Sequence, residues 1–130
     1  MNGLHLIADL HDCRCAHELL FDAGELESFC VSGCTRHGLT VVGRLFHAFR
    51  DAAGNPAGVT GTVVLAESHL AVHTWPEVAG VTLDVYVCNF SGDNSDNARR
   101  LFAEIISAFA PARLEKKEVA RGHLDPVRRA

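Results

Sequence analysis

The chain has 130 residues, of which 48% are hydrophobic and 22% are charged. This length fits a single domain, and this composition excludes wholesale disorder. Its 12 basic and 16 acidic side chains give a formal net charge of −4, which excludes the basic surface that nucleic-acid binding requires.

The first half of the chain alternates strand and helix signals. A short apolar run predicts a first strand over 4–10. Asp22 is a favourable helix cap, Glu25 stands in the first turn, and Gly38 is a natural stop. A helix is therefore predicted to begin near Ala23 and to end at Gly38. The residues that follow predict three further elements, which are a strand over 39–49, a loop over 51–58 and a strand over 59–66.

The second half predicts two more strands, over 69–75 and 81–88, the first of them ended by Pro76. A polar loop over 91–97, a helix over 98–110 and a last strand over 114–119 follow. Several short strands with two helices predict an α+β fold, a two-layer sandwich in which an antiparallel sheet has two helices on one face. The other face of the sheet must then meet solvent, a ligand or a partner.

The apolar runs, the start of the chain and the cysteines indicate the cellular compartment. No apolar run approaches the roughly 18 residues that cross a bilayer. The start of the chain contains His5 and Asp9 within its apolar stretch and no earlier Lys or Arg, which is not typical of a signal peptide. Five cysteines cannot all pair within one chain. We therefore expect a cytoplasmic protein with reduced thiols that binds neither membrane nor nucleic acid.

The cysteine-rich segment after the first predicted strand resembles a set of metal ligands only superficially. It reads His11-Asp12-Cys13-Arg14-Cys15-Ala16-His17. Structural zinc sites favour two to four residues between paired cysteines, and a single residue separates Cys13 from Cys15. We interpret this segment as a polar loop and expect no metal. Cys30 and Cys34 are expected to face the core.

The junction between two predicted strands carries the richest set of reactive side chains. It reads Glu67-Ser68-His69-Leu70-Ala71-Val72-His73-Thr74-Trp75-Pro76-Glu77. In a strand, His69, His73 and Trp75 share one face, which makes a poor core layer unless something polar lies against it. Tyr86 and Cys88 of the next strand can join that face. From the residues alone, a polar sheet face, a dimer contact and a catalytic site remain open, while the missing Gly-x-Ser-x-Gly disfavours a hydrolase triad.

This junction resembles the processing site of the small bacterial and archaeal S-adenosylmethionine decarboxylases, a family of pyruvoyl-dependent enzymes. It matches their hallmark, Glu-Ser-His-Leu-Thr-(Ile/Val)-His-(Thr/Ser)-(Trp/Phe)-Pro-Glu, except that Ala71 replaces Thr. Other family positions follow one another along nearly the whole chain: Gly3-x-His5, Asp9, Cys13, His47-x-Phe49, Gly58-Val59-Thr60-Gly61, Asp84-x-Tyr86-x-Cys88 and Arg121-Gly122.

The resemblance implies that the chain cuts itself. Ser68 attacks the carbonyl of Glu67, and elimination then releases a β chain of residues 1–67. The remnant of Ser68 becomes a pyruvoyl group at the start of an α chain of residues 68–130. His73 is implied to assist the elimination, and Thr60 stands where the family usually has a Ser that helps processing. The added methyl group of Thr leads us to expect slower processing.

The resemblance also implies the reaction. The pyruvoyl carbonyl forms a Schiff base with the substrate amine and accepts electrons as carbon dioxide leaves, after which Cys88 returns a proton. Phe49 is similar to the aromatic residue that stacks on adenine, and Glu77 to the carboxylate that holds the ribose hydroxyls. Trp75 joins them as a substrate-binding residue. The family further implies a homodimer of αβ units, a site between protomers and a role in polyamine (spermidine) biosynthesis.

Two alternatives to this function remain open. The same pyruvoyl machinery could decarboxylate arginine or ornithine, because the nucleoside contacts decide the substrate. The segments over 51–57 and 89–96 depart from the family pattern and leave that alternative standing. The second alternative is an unprocessed homologue that acts as a binding or regulatory partner. Intact Ser68, His73 and Cys88 argue against it.

Overall fold

A computed structural model describes residues 2–90 and 92–124 of the chain. In chain order the strands and helices are β1 (Gly3–Cys13), α1 (His17–Phe21), α2 (Ala23–Arg36), β2 (Val41–Arg50), β3 (Pro56–Leu65), β4 (Ser68–Trp75), β5 (Gly80–Cys88), α3 (Ser95–Phe109) and β6 (Pro111–Arg121). A single 3-10 turn, Pro76–Val78, joins β4 to β5. The strands form one antiparallel sheet in the order β2-β3-β4-β5-β1-β6, and the predicted fold class is confirmed.

The core lies between the helices and one face of the sheet. Alternate residues of the central strands point to the helices and are almost fully buried, among them Leu6, Leu70, Val72, Leu83 and Val85. The helices contribute an equally buried set, which includes Leu26, Cys30, Cys34, Leu101, Ile105 and Phe109. Among the described residues, no helix is both long enough and apolar enough to cross a membrane.

The buried thiols of α2 behave as core side chains. Burial raises the pKa of Cys30 to about 12 and that of Cys34 to about 11. Both thiols therefore stay protonated at neutral pH, and the expectation that they face the core is confirmed. A protonated, buried thiol is a poor nucleophile, which disfavours a catalytic role for Cys30 and Cys34.

Within the described residues, three helices rather than the two predicted accompany the sheet. The prediction missed α1, because a five-residue helix is too short to show a periodic apolar pattern. Asp22, which follows α1, caps α2 as predicted: its Oδ1 accepts a hydrogen bond from the backbone N–H of Glu25 at 3.1 Å. α3 begins at Ser95, inside the loop predicted over 91–97, whose first residue lies outside the described residues.

Three strands extend well beyond their predictions: β1, β3 and β6. β3 begins at Pro56, inside the loop predicted over 51–58, because Pro56 and Gly58 pair with the end of β2. β6 runs from Pro111 to Arg121 along the edge of the sheet, where its charged side chains are exposed and conceal the strand signal. β1 extends to Cys13, so the segment interpreted as a polar loop begins inside a strand and ends in the first residue of α1. The antiparallel ladder with β6 supplies the extra pairing, as Cys13 lies opposite Pro111.

The second face of the sheet is left open by the described part of the chain. It carries polar side chains in its centre and exposed apolar side chains around them. Leu45 on β2 is 75% exposed and Val64 on β3 is 46% exposed, while Ile7 and Val119 lie on the other side of the same face. Exposed apolar residues on both sides of a polar centre favour contact with another molecule.

Candidate active site

The predicted cleavage junction lies in the tight turn that joins β3 to β4. Leu65 pairs with Ser68, which leaves Ala66 and Glu67 to make the turn. Glu67 has a φ of +64°. This left-handed conformation costs a residue with a side chain about 1–2 kcal/mol. The backbone strain therefore falls on the residue whose carbonyl belongs to the peptide bond that is expected to break.

Ser68 and Cys88 lie side by side at this end of the sheet. The backbone N–H of Cys88 donates a hydrogen bond to Ser68 Oγ over 3.2 Å. The antiparallel pairing of β4 with β5 produces this contact, because β5 ends where β4 begins. A cavity of about 220 Å³ opens beside the junction, and its lining includes Glu67, Ser68 and Asn94. We call Glu67, Ser68 and Cys88 the junction half-site.

The residues that follow Cys88 form a clamp that the sequence did not predict. Asn94 Nδ2 donates a hydrogen bond to the Cys88 carbonyl oxygen at 3.4 Å. Asn89 Oδ1 accepts from the backbone N–H of Asn94 at 2.8 Å, and Asn89 Nδ2 donates to Ser95 Oγ at 3.0 Å. The amide-rich composition of 89–96 was the available signal, but it indicated only a loop. The clamp fixes the backbone at the end of β5.

The other predicted site residues gather at the opposite end of β4. Thr60 Oγ1 and His73 Nδ1 share a hydrogen bond of 3.0 Å across the β3–β4 ladder. A cavity of about 360 Å³ lies beside them and is lined by Phe49, Ala57, Thr60, His73, Thr74, Trp75 and Glu77. Phe49 and Trp75 are half-exposed there, and Glu77 stands in the turn that follows β4. We call Phe49, Thr60, His73, Trp75 and Glu77 the pocket half-site.

The two half-sites are too far apart to meet within one chain. Ser68 and His73 stand five positions apart on the same strand. With a rise of ~3.3 Å per residue, their backbones are separated by ~16 Å. A histidine side chain does not span that distance. Within a single chain, the structure therefore brings Ser68 to Cys88 and His73 to Thr60, but it does not bring His73 to Ser68.

The chain is similar to known proteins of one family. Residues 4–122 match the family model described as S-adenosylmethionine decarboxylase. The S-adenosylmethionine decarboxylase proenzyme of Syntrophomonas wolfei is 37% identical over 125 residues, which cover 95% of this chain and 89% of that protein. The proenzyme of Picrophilus torridus is 39% identical over 123 residues, 92% of this chain and 84% of that protein. The crystal structure of the adenosylmethionine decarboxylase from Aquifex aeolicus superimposes with a TM-score of 0.79 at 29% identity, covering 98% of this chain and 97% of that one.

Proposed function

This chain belongs to the S-adenosylmethionine decarboxylase family, and on that premise we propose that it is a self-processing, pyruvoyl-dependent enzyme that decarboxylates S-adenosylmethionine. The junction half-site is the observation that carries the proposal. Ser68 directly follows the left-handed Glu67, and its hydroxyl lies 3.2 Å from the backbone nitrogen of Cys88. A nucleophile is thus held next to a strained peptide bond.

The first reaction is the conversion of Ser68. Its Oγ attacks the carbonyl carbon of Glu67, and the bond from that carbon to the Ser68 nitrogen breaks as an ester forms. Removal of the Ser68 α proton then expels the Glu67 carboxylate and leaves a dehydroalanyl residue. Water replaces its nitrogen, which departs as ammonia, and residue 68 ends as a ketone. The products are a β chain, 1–67, and an α chain, 68–130.

The residues present fit a pyruvoyl group at position 68. The Cys88 N–H donor that meets Ser68 Oγ is available to an oxygen there, and the adjoining cavity of about 220 Å³ gives access. When present, the group supplies a carbonyl that takes up the electrons of the bond to carbon dioxide. Cys88 then delivers a proton to the carbon that has lost the carboxylate. The Asn94 side chain holds the Cys88 carbonyl and with it the end of β5.

Cys88→Ala should separate cleavage from decarboxylation. Alanine keeps the backbone N–H that contacts Ser68 Oγ, so the chain should still be cut. Loss of the proton donor should lower product formation by about 100-fold or more. Intact mass would measure cleavage, and mass spectrometry of the reaction would measure product. Cys15→Ala, which alters the thiol between β1 and α1, is the control and should behave as the parent. A cleaved Cys88→Ala that forms the same product at the parent's rate contradicts the role.

The pocket half-site supports a nucleoside substrate. Phe49 and Trp75 offer aromatic faces for a purine ring, and Glu77 offers two acceptor oxygens for the ribose diol. A charge-assisted hydrogen bond from such a carboxylate contributes roughly 1.5–3 kcal/mol. Arginine and ornithine carry no ribose, so these contacts favour S-adenosylmethionine over either amino acid.

The substrate is tested with Glu77→Gln and three candidate substrates. Release of carbon dioxide from S-adenosylmethionine should fall about tenfold or more in the variant, because a charge-assisted bond to the ribose is lost. Glu118→Gln, at an exposed position on the helix side of β6, should leave release unchanged. Release of carbon dioxide from arginine or ornithine alone would contradict S-adenosylmethionine as the substrate, while the proposed pyruvoyl chemistry would stand. The segment 51–57, beside the pocket half-site, would then be the first place to search for the determinant.

The separation of the half-sites also supports a homodimer of αβ units. Two sheets can stack face to face about a two-fold axis that runs across their strands. That symmetry lays the junction half-site of one protomer over the pocket half-site of the other. It also covers the exposed apolar residues of the open face, such as Leu45 and Val64. Each active site would then take Ser68 and Cys88 from one protomer and His73, Thr60 and the substrate pocket from its partner.

The compartment and the pathway complete the proposal. All five cysteines are free thiols, which fits the reducing conditions of the cytoplasm. Decarboxylated S-adenosylmethionine serves polyamine synthesis, and we assign the enzyme to the formation of spermidine.

A further inference from the structure

Four strands bring polar residues together on the open face, next to the junction half-site. Asp84 Oδ2 lies 2.9 Å from His5 Nε2 and 3.4 Å from His69 Nε2. Asp84 belongs to β5, the strand that ends in Cys88, and His69 directly follows Ser68 on β4. One carboxylate oxygen thus faces two imidazoles, each from a different neighbouring strand. Neither the proposed processing nor the proposed decarboxylation uses these side chains.

Arg121 determines the direction of the hydrogen bonds in this cluster. Its Nη1 donates to His5 Nδ1 over 3.3 Å, because a guanidinium has no acceptor. His5 Nδ1 is therefore the unprotonated nitrogen, and Nε2 carries the proton that is donated to Asp84. The ligand atoms of His5, His69 and Asp84 lie within 4.8 Å of one another, which is close enough for a metal ion. A metal ion bound to His5 Nε2 would leave the ring proton on Nδ1, where it would face the N–H groups of Arg121. Two donors would then point at each other, so the geometry favours a hydrogen-bonded network without a metal.

The Tyr86 ring contacts Arg121, His5 and His69 and restricts their side chains. The Arg121 guanidinium lies 4.3 Å from the centre of the Tyr86 ring, and the rings of His5 and His69 lie 5.8 and 5.7 Å from it. Two glycines make room for the ring. A Cβ on Gly3 would come within 2.9 Å of Tyr86 Cε1, and one on Gly122 within 2.6 Å of its hydroxyl. The cluster therefore has little freedom to rearrange.

Cleavage changes which contacts hold the start of β4 in place. Before cleavage, the turn through Glu67 ties the start of β4 to β3. After cleavage the covalent link is gone, the backbone pairing of His69 with Val64 and Tyr86 remains, and His69 is the second residue of a new chain. Asp84 then joins His69 to the strand of Cys88, and it also joins the α chain to His5 of the β chain.

We infer that Asp84, supported by His5 and Arg121, is a positioning residue that anchors His69 and so keeps residue 68 aligned with Cys88 after cleavage. The inference rests on the proposed self-processing. The anchor acts through a side chain one residue away from the reacting group, so it should affect the rate of the chemical step more than substrate binding. A misplacement of ~1 Å can cost about 100-fold in rate.

The test compares His69→Ala with His69→Gln in protein that has been cleaved and purified. The Gln amide nitrogen can stand near Asp84 Oδ2, where His69 Nε2 lies at 3.4 Å, whereas Ala cannot. His69→Ala and Asp84→Ala should each lower kcat by about tenfold or more while KM stays within about twofold, and His69→Gln should recover most of the loss. Glu27→Ala, which removes an ion pair with Arg44 on the helix side of the sheet, is the control and should match the parent.

Three results would overturn the inference. The first is a cleaved Asp84→Ala with the parent's kcat, even if its melting temperature is lower. The second is stoichiometric Zn²⁺ binding by the parent that Asp84→Ala abolishes. The third is a ¹⁵N spectrum of the histidines that places the His5 proton on Nδ1. The spectrum is recorded on the uncleaved Ser68→Ala chain. Failure of the parent to cleave would count against the proposed function. The spectrum would still show which His5 nitrogen carries the proton, and so would test the network independently of cleavage.

Discussion

Ser68→Ala should abolish cleavage, so that the purified protein stays a single species of 14.0 kDa. Alanine has no hydroxyl to attack the Glu67 carbonyl, and without the ester no elimination follows. The turn itself should persist, because the ladder between β3 and β4 holds it. The parent should instead give two fragments divided between Glu67 and Ser68. The fragment that begins at residue 68 should resist Edman sequencing, since its terminus is a ketone, and should react with hydrazine reagents.

Ser28→Ala provides the matched control for this change. It removes a hydroxyl from an exposed position of α2, away from both the junction and the open face. Its cleavage should equal that of the parent. Cleavage of Ser68→Ala at the same bond would exclude Ser68 as the nucleophile. A parent that remains intact and lacks carbonyl reactivity would instead favour the unprocessed binding partner.

His73→Ala should block cleavage on its own, yet coexpression with Ser68→Ala should restore it. In a mixed dimer, Ser68 of one protomer meets His73 of the other, and one complete site forms. About half of the His73→Ala chains should then be cut, because random pairing gives each chain an even chance of a Ser68→Ala partner. The Ser68→Ala chains should stay whole. Different affinity tags on the two chains allow the mixed dimer to be isolated and its fragments weighed.

The control for this experiment replaces Ser68→Ala by the double variant Ser68→Ala, His73→Ala. The mixed dimer then has no His73 at all, and no chain should be cut. An isolated mixed dimer of the two single variants that remains uncut would mean that His73 does not act across the interface. A parent that light scattering shows to be monomeric at micromolar concentration, and that is nevertheless cleaved, would exclude the shared site altogether.

Local signals predicted the elements that local interactions determine. The Asp22 cap and the alternation of β5 are read within a few residues, and both are correct in the structure. α1 was missed because its five residues are held by packing, and the start of α3 was misplaced because a polar first turn resembles a loop. The clamp made by Asn89 and Asn94 depends on how the end of β5 meets α3, which no local pattern encodes.

Local sequence patterns also could not predict which site residues meet in space. The family motif placed Ser68 and His73 in one segment, and their closeness in sequence suggested closeness in space. A strand separates them by ~16 Å, a distance already implicit in the predicted strand over 69–75. The contact between His5 and Asp84 spans 79 positions of sequence, so composition and periodicity could not reveal it. Residue types were informative, whereas the pairing of strands decided which of them meet.

The order of strands in the sheet has a consequence for the timing of the cut. Residues 1–67 supply β1, β2 and β3, and residues 68–130 supply β4, β5 and β6. In the sheet, β1 lies between β5 and β6, so the two fragments interleave rather than abut. They cannot part without the loss of three strand pairings, and a precursor cut too early would have to thread this arrangement from two separate pieces. If the chain is processed as proposed, folding must therefore precede cutting. The cleaved enzyme, once unfolded, would be a two-chain assembly whose refolding depends on concentration.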